Sequence, residues 1–194
     1  MKNFILHPTR LGAFLLALLA SASLLPFART NAAPVQRREH LTEQETEMVR
    51  DTQELDRRIA LFATIAERRI NVLVNAAAAP TPSAKDLEKW GELPKGTRAQ
   101  LFNDLARIFD EAINNIDDVA MRTPGSSLIP KALRHLADAS ARFLPQLTPL
   151  RATASGEGER EALEQALDNL EQIIDAAKKL PAETTEKKGE KKKN

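Results

Sequence analysis

Apolar side chains recur at helical spacing along most of the chain. They repeat every three or four positions over residues 43–77, 98–121, 128–144 and 159–180. Steps of three and four keep these side chains on one face of an α-helix, where they can pack against a neighbouring helix. No stretch alternates apolar and polar residues with the period of two that is typical of strands. The pattern therefore predicts an all-α protein.

Capping residues indicate where these helices begin. Thr42 with Glu45, and Thr97 with Gln100, have the spacing of a capping box, in which each side chain meets a free backbone N–H of the first turn. Ser127 is placed to cap the third long helix in the same way. Prolines and glycines interrupt or follow the helical stretches at Pro80, Pro82, Gly91, Pro124, Gly125, Pro145, Pro149, Gly156, Gly158 and Pro181.

The first predicted helix, 43–77, is longer than the other three. It would extend about 50 Å, against roughly 30–37 Å for the others. A short connector helix, 84–90, follows it. Four amphipathic helices with short links predict an antiparallel four-helix-bundle-like domain with one extra-long first helix. The overhanging part would be covered by residues 83–96 or 145–153, or would pair with another protein or a second copy, which would give a homodimer through the first helix.

The chain begins with the pattern of a secretory signal peptide. Two basic residues and no acids precede an apolar run from Leu11 to Leu25, and small residues follow that run. We expect residues 1–32 to be removed after Ala32, with cleavage after Ala22 or retention as an anchor as the alternatives. No later run has the ~20 apolar residues of a membrane-spanning helix. The sequence thus predicts an exported protein, periplasmic or extracellular, without a transmembrane segment after cleavage.

Charge divides the rest of the chain into a domain and a tail. Residues 33–181 form the predicted helical domain, and residues 182–194, with five Lys, three Glu and no large apolar side chain, are predicted to be disordered. The whole chain has 28 basic and 27 acidic residues, but the domain alone has 20 basic and 24 acidic ones. It has no basic stripe, so we do not expect a nucleic acid as partner.

The residue types that carry most chemistry are scarce. The chain has no Cys, which excludes disulfides, thiolate metal sites and Cys nucleophiles. Neither His40 nor His135 has the Glu-x-x-His spacing of a di-iron bundle. There is no Gly-rich phosphate loop and no Gly-x-Ser-x-Gly sequence. We therefore expect no metal, no cofactor and no catalytic residue, and an enzyme that uses His135 with Asp138 ranks last among the hypotheses.

Two arginine pairs on the first helix are candidate binding residues. Arg57-Arg58 and Arg68-Arg69 are eleven residues apart, which is close to three helical turns and predicts that they lie on one side. Such a side could bind an anion or an acidic partner. The alternative is pairing with nearby acids such as Glu54.

Two further features could contribute to binding. The acidic and amide residues of segment 110–118 could dock against the arginine pairs or hold a weakly bound divalent cation. Trp90 would either close one end of the bundle or anchor a partner. The sequence as a whole predicts a non-enzymatic helical protein that binds or scaffolds another macromolecule, either a protein or an envelope polymer.

The alternative function is a carrier of a small apolar ligand held between the helices. Few aromatic residues and many Ala positions would leave room for such a ligand. An apolar internal cavity of ~300–1,000 Å³ would favour the carrier. A filled core with an exposed apolar strip would favour the macromolecular partner.

Overall fold

The computed structural model describes residues 38–75 and 81–181, and within them all regular secondary structure is helical. This confirms the all-α prediction for the described residues. The predicted signal peptide 1–32, the predicted tail 182–194 and the last two residues of the first predicted helix lie outside them. The helices are α1 (Glu43–Asp51), α2 (Leu55–Val74), α3 (Ala84–Trp90), α4 (Arg98–Arg122), α5 (Leu128–Leu147), a 3₁₀ helix (Thr148–Ala152) and α6 (Glu157–Lys178).

Two capping boxes begin α1 and α4, as the sequence predicts. The Thr42 hydroxyl accepts a hydrogen bond from the Glu45 N–H at 3.2 Å, and the Glu45 carboxylate accepts one from the Thr42 N–H at 2.9 Å. Thr97 and Gln100 make the same reciprocal pair of bonds at the start of α4. These bonds satisfy backbone donors that have no partner inside the helix.

The start and end of α5 differ from the prediction. Ser127 makes no capping hydrogen bond, because its own backbone already has helical angles. The Ser126 hydroxyl instead accepts a bond from the Leu128 N–H at 3.3 Å. The helix also continues past Pro145 to Leu147 before it tightens into the 3₁₀ helix. Ser127 as the cap is therefore wrong.

The single long helix predicted over 43–77 is also wrong, because α1 ends at Asp51 and α2 begins at Leu55. Thr52 has an extended backbone, and its hydroxyl and its N–H both donate to the Met48 carbonyl, at 2.8 and 3.1 Å. Side-chain bonds of this kind compete with the backbone hydrogen bonds that would continue the helix. The apolar spacing continues across the break, so periodicity alone did not show it.

The break removes the reason for expecting an overhang. With 20 residues, α2 is about 30 Å long, and α5 has the same number of residues. The homodimer through an extra-long first helix stays a prediction, but the long helix on which it depended is absent.

Four helices make most of the packing contacts. Helix α2 packs against α4 and α5, and α6 packs against the same two. Arg58 near the start of α2 bonds to Asn115 near the end of α4, so these two helices run antiparallel. Arg98 and Glu159 pair at the starts of α4 and α6, so those two neighbours run parallel. The helices are therefore not antiparallel at every contact. The reason is that α5, which follows α4 in the chain, packs mainly on α2 and α6, so that α4 and α6 become neighbours with the same direction.

The apolar stripes of these helices form one filled core. Phe62, Phe102, Phe109 and Phe143 are each at most 1% exposed, and the aliphatic residues around them are similarly buried. Charged residues cover the opposite faces, as expected for amphipathic helices. Among the described helices, none has the length and apolar character needed to cross a membrane.

Candidate functional site

A buried ion pair joins α1 to α2. The Nη1 and Nη2 atoms of Arg69 donate to the two carboxylate oxygens of Glu45 at 2.7 and 2.6 Å. Arg69 is 1% exposed and Glu45 0%. The same guanidinium also donates to the backbone carbonyls of His40 and Ile65. Because Glu45 is the one buried residue of α1, this pair is the main tie between α1 and the core.

The segment before α1 is tied down in the same manner. Arg38 donates to the Asp104 carboxylate at 2.8 Å and to the Lys95 carbonyl at 2.6 Å. The His40 Nε2 atom lies 3.1 Å from a carboxylate oxygen of Glu111. Three polar contacts thus attach this segment to α4 and to the residues that precede α4.

Asp104 lies inside this contact and is 4% exposed. Burial raises the pKa of its carboxyl above the ordinary value of about 3.9, and the nearby Arg38 opposes that rise without cancelling it. The second carboxyl oxygen has no hydrogen-bond donor among the described residues. The folded state therefore binds a proton at Asp104 more readily than the unfolded state does.

This raised pKa predicts an unusual pH dependence for the Asp104→Asn variant. Because folding favours the protonated carboxyl, the Asp104 contribution to stability is largest in acid and declines as the pH rises above about 4. We expect the variant to be within about 1 kcal/mol of the parent at pH 7, since Arg38 stays partly solvated and keeps its bond to Lys95. Urea unfolding from pH 4 to 7 measures the difference. A parent that gains on the variant as the pH rises would contradict the raised pKa.

Two guanidinium groups hold the backbone that links α3 to α4. We call residues 81–97 the connector. Arg68 donates to the carbonyl of Glu92 at 2.6 Å, just as Arg38 donates to the carbonyl of Lys95. The Nε atom of Arg68 lies 3.3 Å from the Glu45 carboxylate. Burial lowers the pKa of Arg68, and the Glu45 carboxylate opposes this shift. The connector is thus fixed by the same charges that fix α1.

Gly91 allows the connector to turn at the end of α3. Its φ of +66° is one that residues with a side chain rarely adopt. A Cβ atom there would also lie 2.9 Å from the side chain of Gln44 on α1. The turn therefore depends on glycine, and it places the following residues against α2.

The connector and α2 enclose an open cleft of about 590 Å³. We call it the connector cleft. Its apolar walls are Val72, Pro82, Leu87, Leu93 and Pro94. Leu87 is 44% exposed, which is high for a leucine of a folded domain. The cleft therefore offers apolar surface to a ligand or partner.

The first predicted arginine pair lies far from this cleft, near the start of α2. Arg57 is exposed and lies 2.9 Å from Glu54, so this acid pairs with Arg57 and not, as the sequence alternative had it, with Arg58. Arg58 donates to the carbonyl of Thr52 and to the side chain of Asn115. Arg58 thus fastens the break between α1 and α2 to α4.

The second arginine pair and Trp90 are brought together at the connector. The Arg68 guanidinium lies 5.3 Å from the centre of the Trp90 ring, and the Lys89 ammonium lies 5.1 Å from it. Arg69 points inward to Glu45. The four arginines therefore do not form one continuous surface, and anion binding by them stays a prediction. Trp90 is half-buried against the core.

The sequence missed the partners that matter most in this region. The capping box already accounted for Glu45, so nothing suggested that it also meets Arg69, 24 residues away. Arg38, His40 and Asp104 had no local pattern at all. Only one signal was available, namely that an Arg on the apolar side of a helix needs a carboxylate.

Three residues of the acidic segment of α4 contact other parts of the protein. Asn115 accepts from Arg58, Glu111 meets His40, and Asp110 accepts a hydrogen bond from Asn169 of α6 at 3.0 Å. In the described part of the chain, no three His, Asp or Glu side chains converge as metal ligands would. Of the predicted contacts between this segment and the arginine pairs, the one observed among the described residues is that between Asn115 and Arg58.

Comparison with models of protein families, with curated proteins and with solved structures found no match to this chain. The connector cleft and the charges that fix it are the features on which a function can be built.

Proposed function

We propose that this chain is an exported, non-enzymatic helical protein that binds an apolar segment of a protein partner in the connector cleft. The observation that carries the proposal is the open apolar cleft formed by the connector and α2. A contiguous apolar surface that is open to solvent is typical of a contact site for a partner. Five apolar residues line this cleft together, and Leu87 among them is 44% exposed.

The frame of the cleft supports binding without large rearrangement. Arg68 and Arg38 each bond to a connector carbonyl, and Glu45 and Asp104 hold those two arginines in turn. A surface that is ordered before binding loses less conformational entropy when a partner arrives. The partner segment would therefore meet a preformed cleft.

Charge at the rim indicates the chemistry of the partner segment. Glu92 and Lys95 form an exposed ion pair with each other beside the cleft, so their two charges offset each other there. The walls themselves are aliphatic. An uncharged segment with two or three aliphatic side chains fits this surface better than an acidic or basic one.

A small apolar ligand is the second candidate, because the cleft volume lies within the range of about 300–1,000 Å³ usual for small-molecule sites. The predicted carrier would hold its ligand between the helices, whereas the core there is closely packed and the pocket that α4, α5 and α6 line together has a volume of about 190 Å³, below that range. The cleft is also open along the surface. Both points favour a macromolecular partner.

The architecture and location belong to the same proposal. Helices α2, α4, α5 and α6 would constitute the four-helix-bundle-like domain, with α1 and the connector as additions at its side. Export is supported by the charged start, the apolar run and the small residues of segment 1–32.

Site-specific photo-crosslinking in cells that export the protein tests this function. A photoreactive phenylalanine analogue replaces Leu87 in the cleft, and in a matched control it replaces Leu128, which is 41% exposed but lies at the start of α5. We expect an adduct of defined protein mass from position 87 in the envelope fraction, and none from position 128. Adding Val72→Asp should abolish the adduct, because it places a charge in the apolar wall.

Other outcomes separate the hypotheses. A mass increase of a few hundred daltons at position 87 would support the carrier. Equal adducts at both positions, or none at position 87, would overturn binding at the cleft. A chain that is found only in the cytoplasm, with its leader intact, would contradict export. Urea unfolding of each variant ensures that a lost adduct does not reflect a lost fold.

A further inference from the structure

A second, smaller pocket lies beside Trp90, on the other side of the residues that wall the connector cleft. Its volume is about 270 Å³, and it shares Pro82 and Leu93 with the cleft. We call it the Trp90 pocket. Unlike the cleft, it is lined mainly by side chains that form hydrogen bonds, including Thr64, Glu67, Asn71, Thr81 and Asp86. A ligand there would meet these hydrogen-bonding groups together with the apolar surfaces of Pro82, Trp90 and Leu93.

The polar side chains come from two helices that face each other. Glu67 and Asn71 are four residues apart on α2, so they lie on one face of that helix, and Asp86 faces them from α3. The Asp86 carboxylate accepts a hydrogen bond from the Ser83 hydroxyl, and the Asp86 N–H donates one to the oxygen of that same hydroxyl. That contact lowers the pKa of Asp86, so its carboxylate is an ionised acceptor. Neither Glu67 nor the Asn71 amide group bonds to another side chain among the described residues.

Charges of both signs surround the pocket. Glu67 and Asp86 are acidic, and Arg68, Lys85 and Lys89 are basic, so a ligand with a net charge would meet attraction and repulsion together. An uncharged ligand rich in hydroxyl groups can donate to the carboxylates of Glu67 and Asp86 and accept from the Asn71 amide, because each hydroxyl both donates and accepts. The balance of charge thus favours a polyol over an anion or a cation.

Trp90 adds a flat apolar surface to this polar pocket. Arg68 is fixed over the ring by its bonds to Glu92 and its contact with Glu45, whereas Lys89 is exposed on a long side chain that a ligand can displace. A half-buried indole beside hydrogen-bonding groups presents one apolar face and one wet edge. A sugar ring has the matching surfaces, with C–H groups on its face and hydroxyls at its edge.

We propose that the Trp90 pocket binds one neutral hexopyranose unit, stacked on the Trp90 indole and hydrogen-bonded through its hydroxyls to Glu67, Asn71 and Asp86. The unit can come from a free sugar or from a neutral envelope polysaccharide. The proposal does not depend on protein binding in the connector cleft, since the two pockets have different polar linings.

Titration with defined sugars tests this site on the chain without its predicted leader. The probes are glucose, galactose and N-acetylglucosamine, each also as a soluble tetramer, with glucuronate and glucosamine as charged comparisons. Trp90 is the one tryptophan of the chain, so its fluorescence reports on the pocket, and saturation-transfer NMR reports on the sugar. We expect a Kd of about 1 mM for at least one neutral sugar, and tighter binding of its tetramer if the source is a polymer.

Variants separate this site from the cleft. Trp90→Ala, followed by NMR, and Asn71→Ala should each weaken binding about tenfold. Leu87→Asp, which changes the cleft alone, and Asn75→Ala, which lies one turn beyond Asn71, should leave sugar binding unchanged. Saturation transfer from no neutral sugar, preference for a charged sugar, or full binding by a folded Asn71→Ala variant would each overturn the proposal. Lost sugar binding in Leu87→Asp would also overturn it, because the pockets would then not be separate.

Discussion

Replacing Glu45 by methionine should lower the free energy of unfolding by about 3–5 kcal/mol. The change leaves the Arg69 guanidinium buried without its carboxylate, and an uncompensated buried charge is among the most destabilising defects in a protein. The Thr42 N–H loses its acceptor as well, which accounts for about 1 kcal/mol of the total. Urea unfolding followed by Trp90 fluorescence measures the loss.

The same substitution should release α1 from the body of the protein. Because Glu45 is the one buried residue of that helix, hydration of Arg69 can be regained if α1 moves away. Hydrogen exchange over residues 43–51 should then become fast while exchange in α4 and α6 stays slow. Faster exchange in α1 is expected even if the free energy of global unfolding falls by less than the full amount.

A double-mutant cycle isolates the pair. The variant Glu45→Met with Arg69→Met replaces both charges by apolar side chains of similar length and should recover most of the loss, because buried ion pairs are often matched by apolar residues. Glu47→Gln is the matched control, since Glu47 is exposed on the same helix and pairs only with Arg50. A loss below about 1 kcal/mol for Glu45→Met, with α1 still protected, would show that this pair is not the tie described.

Replacing Phe143 by alanine should cost about 3–5 kcal/mol through a cavity in the core. Phe143 is 1% exposed, and its ring centre lies 6.4 Å from that of Phe109 on α4. The neighbours are held by three other helices, so the space can close only in part. The lost ring contact adds to the lost burial, since aromatic pairs contribute about 0.5–1.5 kcal/mol beyond their area.

Two further variants test this reasoning. Phe143→Leu fills most of the space and should cost less than half as much as alanine. Met121→Ala, at a position that is 73% exposed, should change stability by less than about 0.5 kcal/mol. Calorimetry or urea unfolding gives all three values. If Phe143→Leu were as damaging as Phe143→Ala, ring geometry and not core volume would be the cause.

The local elements of the fold could be predicted because their causes are local. Both capping boxes form between residues three apart, and their hydrogen bonds are those that the spacing indicates. The apolar stripes of α4 and α6 also face the core as predicted. Ser127 failed as a cap for a reason of the same range, because its backbone turned helical one residue early.

The candidate site could not be predicted to the same degree. Trp90 and Arg68 were both identified, but nothing in the sequence indicated that they would meet, since α2 and α3 are joined by a link whose direction is not encoded in periodicity. Arg57, Arg58, Arg68 and Arg69 do share one helix, α2, but Arg58 bonds to Asn115 of α4 and Arg69 turns inward to Glu45, and neither partner is visible in the spacing. The connector cleft and the Trp90 pocket exist only once the connector is folded back on α2.

For residues 38–75 and 81–181, the sequence by itself determined that the regular structure is helical, where the two helices with capping boxes begin and which apolar faces form the core. Each of these depends on interactions among residues three to seven apart, which a repeating pattern records. Local bonds of Thr52 end α1, but only the tertiary structure decided where α1 packs after the break. In a continuous helix, Glu45 and Arg69 would be about 36 Å apart. Their buried contact requires α1 to fold back on α2. The contact joins residues that are 24 positions apart, and its contribution to stability therefore leaves no trace in a local sequence pattern.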